Sequence, residues 1–186
     1  MSKMRIINTV IGASLLSVAT LASAASTTVN GGTVHFTGQI VNAACSVSAD
    51  SMDQTVTMGQ FRTAKFAAVG DRSGLVPFKI KLSDCDTSVS TKASVSFSGA
   101  ADTTDATLLS ISNISGGTAG SASGLGIEIS DSKGTVLSPD GATFSAASIL
   151  ADGTNVLAFN ARYKATKAAV TPGQADADVT FGLKYE

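Results

Sequence analysis

Few side chains in this sequence could do chemistry, and their types and spacing point away from catalysis. His35 is the single histidine. It stands between Val34 and Phe36 in an alternating stretch and reads as an exposed strand residue, and no partner set for a triad or a zinc site accompanies it. The only glutamates are Glu128 and Glu186, so the carboxylate pair of a glycoside hydrolase would have to come from aspartates. Asp84 and Asp86 flank Cys85 and share a face if the segment is extended, which could hold a cation. Turn hydrogen bonding is the commoner use of Asp near a strand end. Gly124-Leu-Gly126 lacks the third glycine and the helix of a dinucleotide loop, and Asn113-Ile-Ser115 is a glycosylation sequon of a kind frequent by chance. With no Trp and only two Tyr, Tyr163 and Tyr185, both inside strand patterns, a sugar-binding aromatic platform has little to be built from. The expectation is a non-enzymatic protein without cofactor or metal.

The remaining reactive pair is Cys45 and Cys85, the only cysteines. Met1 to Ala24 reads as a cleaved secretory signal: Lys3 and Arg5 open it, Ile6 to Leu21 is mostly apolar, and Ala22-Ser-Ala24 fits the small-x-small cleavage rule. An exported chain meets an oxidising environment, where such a pair reads as a disulfide. It would close a loop of about 40 residues and contribute roughly 3–4 kcal/mol in the loop-entropy account. The chain carries 14 acidic and 13 basic residues, and two of the basic ones belong to the signal. That balance gives no reason to expect nucleic acid or an anionic membrane as a partner.

The elements that must position these residues are strands. Alternating apolar positions recur at Val56 and Met58, at Phe78, Ile80 and Leu82, at Ala93, Val95 and Phe97, at Leu125, Ile127 and Ile129, and at Leu157, Phe159, Ala161 and Tyr163. Turn chemistry separates them at Gly70-Asp71, Asp131 to Gly134, Pro139-Asp-Gly141 and Asp152-Gly153. Short strands with Gly-rich turns read as a β-sandwich. Ser112 to Gly124, a run of Ser, Gly, Ala and Thr, reads as an exposed loop, and Arg62 to Val69 as a helical turn or loop.

The two ends of this pattern belong together. Val179, Phe181, Leu183 and Tyr185 alternate in a last strand with nothing after it in sequence to pair its outer edge, and an unpaired apolar edge is a template for another chain. Near the other end Val34, Phe36 and Ile40 share one phase, with Gly38 completing it. One end looks like a donor strand and the other like an acceptor edge. The simpler alternative is two terminal strands paired within one sandwich.

Several motifs in order resemble the major structural subunit of type 1 fimbriae, pilins of the chaperone–usher pathway. They are Thr27 to Phe36, Gly38 to Ser46, Asp53-Gln-Thr-Val56, Gly59-Gln60, Leu82 to Asp86, Asp140 to Ser145, Ala161-Arg-Tyr163 and Tyr185. The resemblance implies an all-β, incomplete immunoglobulin-like sandwich lacking its seventh strand, completed by a donor strand from a neighbouring subunit or a periplasmic chaperone. It implies residues 25–41 as the N-terminal extension and 42–186 as the pilin domain. In the extension Val34 and Phe36 would be inserted, with Gly32 and Gly38 where room is short. The acceptor groove and chaperone contact would include Gly173, Val179, Phe181, Leu183, Tyr185 and Glu186, and Cys45 with Cys85 would be the family disulfide. The implied partners are further copies in a helical filament, the chaperone and an outer-membrane usher, with no small-molecule substrate, and the implied place is the bacterial surface. Two alternatives stay open: a minor subunit of the same assembly, and a self-contained secreted carbohydrate-binding sandwich.

Overall fold

A computed structural model describes residues 26–114 and 120–186 of the chain. The expected signal, Met1 to Ala24, lies outside the described residues. Residues up to Gln39 and Ile40–Glu186 form separate units. In the first, residues 26–39 hold no helix or strand, and Val34 and Phe36 are 75% and 93% exposed. The alternation over Thr33 to Ile40 has no ladder partner here, and alternation alone does not make a strand.

The second unit is built from eight strands: β1 Ser46–Val47, β2 Val76–Cys85, β3 Lys92–Gly99, β4 Leu125–Asp131, β5 Asp140–Phe144, β6 Ser148–Ile149, β7 Gly153–Ala165 and β8 Val179–Tyr185. One sheet runs β1-β2-β7-β4; in the other, β3 is central, with β8 along one edge and β5 then β6 along the opposite one. Every strand pairing is antiparallel. The inward phases foreseen from alternation form the core: Ile80 and Leu82, Val95 and Phe97, Leu125 to Ile129, and Leu157 to Tyr163. Phe97 of one sheet meets Phe78 and Phe159 of the other at ring-centroid distances of 6.0 and 5.3 Å. Such aromatic contacts add about 0.5–1.5 kcal/mol each beyond their burial, so this trio is a main weld between the layers.

Cys45 and Cys85 are bonded, with Cα atoms 4.1 Å apart. The bridge ties the residue before β1 to the end of β2, where the β2–β7 register shifts between Leu82 and Cys85. Asp84 takes φ = 51° inside that bulge. The extended geometry that would align Asp84 with Asp86 is therefore absent, and Asp86 Oδ1 accepts from the backbone N–H and hydroxyl of Ser88, a turn cap.

Two sequence expectations need correction, at Val56 to Met58 and at Ser112 to Gly124, while the helical turn expected between Arg62 and Val69 is present. Val56 and Met58 lie in no strand, although Met58 packs on the core; alternation reports which way side chains face, not whether the backbone has a partner. Arg62 to Val69 holds one 3-10 turn, Thr63–Lys65. The stretch from Ser112 to Gly124 is not wholly an exposed loop: Ala122 is buried, and its N–H donates to Gln174 O at 2.7 Å. Small side chains let that backbone come close enough to pair.

Candidate strand-acceptor edge

β8 is placed by β3. The register sets Val179 opposite Gly99, Phe181 opposite Phe97, Leu183 opposite Val95 and Tyr185 opposite Ala93. All four apolar side chains of β8 face the interior, pack against the buried core and remain half-buried. Along its second edge β8 has no strand partner among the described residues. An edge that combines free backbone groups with an incompletely covered apolar row offers both parts of strand recognition: ladder hydrogen bonds and pockets for alternate side chains.

The ends of the edge are held. Tyr185 Oη donates to Cys45 O at 3.2 Å, which fastens the end of β8 to the disulfide segment across from it. Burial pushes the Tyr185 phenol above its ordinary range, so it stays a donor at neutral pH. Backbone N–H groups of Thr91 and Lys92 donate to Glu186 O at 3.1 and 3.0 Å, and Glu186 N–H returns a bond to Lys92 O at 3.0 Å. The Glu186 side chain is exposed and ion-paired with Lys184, whose hydrogen bond and charge lower its carboxyl pKa. Ahead of β8, Gly173 runs against the backbone of Gly120 to Ala122 so closely that a Cβ there would overlap it. The glycine singled out in the sequence thus stands where the chain has no space for a side chain.

The structure brings Val179, Phe181, Leu183 and Tyr185 together on one strand with Glu186 directly after its end, and Cys45 is reached through Tyr185. Val34, Phe36, Gly32 and Gly38 lie in the other unit; Gly32 there has φ = 133°, a backbone shape that favours glycine. A charged group was missed. Glu128 is 1% exposed, accepts from Arg162 Nε at 2.6 Å and from Arg72 Nη2 at 3.3 Å, and has Lys164 Nζ at 3.9 Å. Burial opposes its ionisation, but the hydrogen bonds and charges of Arg162 and Arg72 outweigh that and lower its pKa. Lys164 also holds Asp105 at 2.8 Å. Its hydrogen bond, with that of Thr107, brings Asp105 down to about 2. Glu128 stands directly across from Arg162 on β4 and β7. A charged residue between Ile127 and Ile129 was the available signal, but register had to supply its partner.

Comparison with known proteins places this geometry. The family model for fimbrial protein matches residues 34–186. The chain belongs to the fimbrial protein family. It is 56% identical over 177 residues to a type 1 fimbrial subunit of Salmonella typhimurium, covering 94% of this chain and 95% of that one. It is 53% identical to the type-1 fimbrial protein A chain of Escherichia coli K12, covering 90% of each. A solved chaperone–usher pilus is similar at TM-score 0.69 and 28% identity, covering 88% of this chain and all of that one. The P pilus rod subunit PapA is similar at TM-score 0.64 and 28% identity, covering 77% of this chain and all of that one. The two sheets with their open β8 edge are the incomplete immunoglobulin-like sandwich of such pilus subunits.

Proposed function

We propose that this fimbrial protein is the repeating structural subunit of the shaft of an adhesive surface pilus, and that it polymerises by accepting a neighbour's N-terminal strand at β8. Its work is mechanical and needs no catalysis. It is exported and assembled outside the cell. The observation that carries the reading is the half-buried apolar row of Val179, Phe181, Leu183 and Tyr185 along an edge that has no strand partner among the described residues.

An incoming extension, residues 25–41, would pair with the free backbone of β8 and insert Val34 and Phe36. Gly32 and Gly38 would sit where the groove is shallow. Side chains fully buried in this way contribute about 2 kcal/mol each. Donor and acceptor surfaces differ, so the contact is heterologous and repeats without closing into a filament. Before assembly a periplasmic chaperone would occupy the same edge, with Glu186 as an anchoring carboxylate, and an outer-membrane usher would hand subunits on.

Deletion of residues 25–41 from the leaderless chain tests the reading. The shortened protein should fold only with a chaperone or with an added peptide spanning Asn30 to Val41, and should not extend fibres. A stable, soluble monomer made with neither would falsify strand acceptance at β8.

A further inference from the structure

β2 carries a second open edge that strand acceptance at β8 leaves unused. On one side it pairs with β7 along its length, from Val76 opposite Ala161 to Cys85 opposite Gly153. On the other side β1 covers only Leu82 and Ser83. Beyond them, Lys81 N–H donates to Ser51 Oγ and Lys81 O accepts from Ser48 N–H, both at 3.0 Å. Backbone groups alternate in direction along a strand, so the main-chain groups of Lys79 and Pro77 also point that way. Among the described residues they meet no hydrogen-bond partner there.

The residues at this open half differ in kind from those of β8. Pro77 has no N–H, and its place on the side away from β7 is the one a strand tolerates. Lys79 presents an exposed side chain next to exposed Val156 and Ala158 of β7. Lysine and proline at an edge both oppose strand addition, the first through its charge and the second by withholding a donor. β8 has no proline, and its one lysine, Lys184, is occupied by Glu186 and lies 5.5 Å over the Phe144 ring.

We propose that Pro77 and Lys79 close the open half of β2 to strand addition by other copies of this chain, so that of these two edges only β8 receives a strand. The inference rests on β8 being the acceptor edge. A subunit with two receptive edges would branch or bundle; one with a single receptive edge grows as a line.

The test replaces both residues in the leaderless chain, Pro77→Thr with Lys79→Thr. The variant should associate side to side, seen as bundled or branched fibres in electron micrographs and as excess light scattering. Asn160→Thr, a change on the same outer surface where the ladder is complete, should behave as the natural chain does. Lys79→Thr alone retains the proline, serves if the double variant does not fold, and should show the same association more weakly. In the natural chain the Lys79 amide should exchange hydrogen at least about tenfold faster than those of Phe78 and Ile80. Equal protection of the three amides, or a double variant of unchanged urea midpoint that assembles like the natural chain, would overturn the proposal. Failure of the natural chain to form fibres would count against acceptance at β8, whereas Lys79 exchange judges the open edge by itself.

Discussion

Replacing Glu128 by Gln should destabilise the subunit by about 2–3 kcal/mol. The carboxylate is almost completely buried and binds two guanidinium groups, with Lys164 beside it. Hydrogen bonds to charged groups contribute about 1.5–3 kcal/mol each, and breaking a buried ion pair from one side costs about 3–5 kcal/mol. An amide keeps one acceptor but turns an NH2 toward arginine donors, so at least one strong bond is lost. The side chains of Arg72 and Arg162 are 41% and 27% exposed, so both can recover water, which puts the cost at the low end of that range. With a urea slope of about 1–3 kcal/mol per molar, the midpoint should fall by roughly 1–2 M. The assay is urea unfolding of natural and variant proteins in parallel, followed by far-ultraviolet circular dichroism at pH 7. The linkage sign follows from a folded-state pKa held below the unfolded one. The Glu128 contribution is fully present above the ordinary glutamate range of the unfolded chain and is lost as pH falls through the lowered pKa. The gap between natural and Gln proteins should therefore narrow in acid. A midpoint shift below about 0.3 M at pH 7, or a gap that widens in acid, would refute the assignment of a stabilising role to this network.

Other perturbations probe the edge and its supports. Gly173→Ala places a Cβ against the backbone of Gly120 to Ala122 and should lower stability by about 1–3 kcal/mol through overpacking, read as a reduced melting temperature. Joint replacement of Cys45 and Cys85 by Ser should cost about 3–4 kcal/mol in urea unfolding, with natural protein under reducing conditions showing the same loss. At Asp84, whose φ is 51°, Val should cost about 1–2 kcal/mol and Asn almost nothing, because a short polar side chain tolerates the left-handed region; equal effects on the urea midpoint would contradict the strain.

Much of this architecture was legible in the chain because side-chain alternation follows directly from burial. Phe78 to Leu82, Ala93 to Phe97, Leu125 to Ile129 and Leu157 to Tyr163 each announced both a strand and its inward face. The same signal overreached at Val56 and Met58, where a side chain is covered without any ladder. It was silent on β6, whose two residues, Ser148 and Ile149, are too few to show a period. Ser112 to Gly124 was misjudged in part because small residues carry no hydrophobic signal, yet they allow the close backbone approach that pairs Ala122 with Gln174.

The sequence by itself determined the β class, the inward phases, the cysteine pair and the apolar row from Val179 to Tyr185, since these depend on residue type and local spacing. Only the tertiary structure decided which edges lack a partner, because an edge is a relation between strands distant in sequence. Among the described residues, pairing with β3 leaves one side of β8 open, and the shortness of β1 leaves Pro77 and Lys79 at another open edge. The same holds for Glu128: a charge between two isoleucines reads as a surface residue until register sets Arg162 across from it.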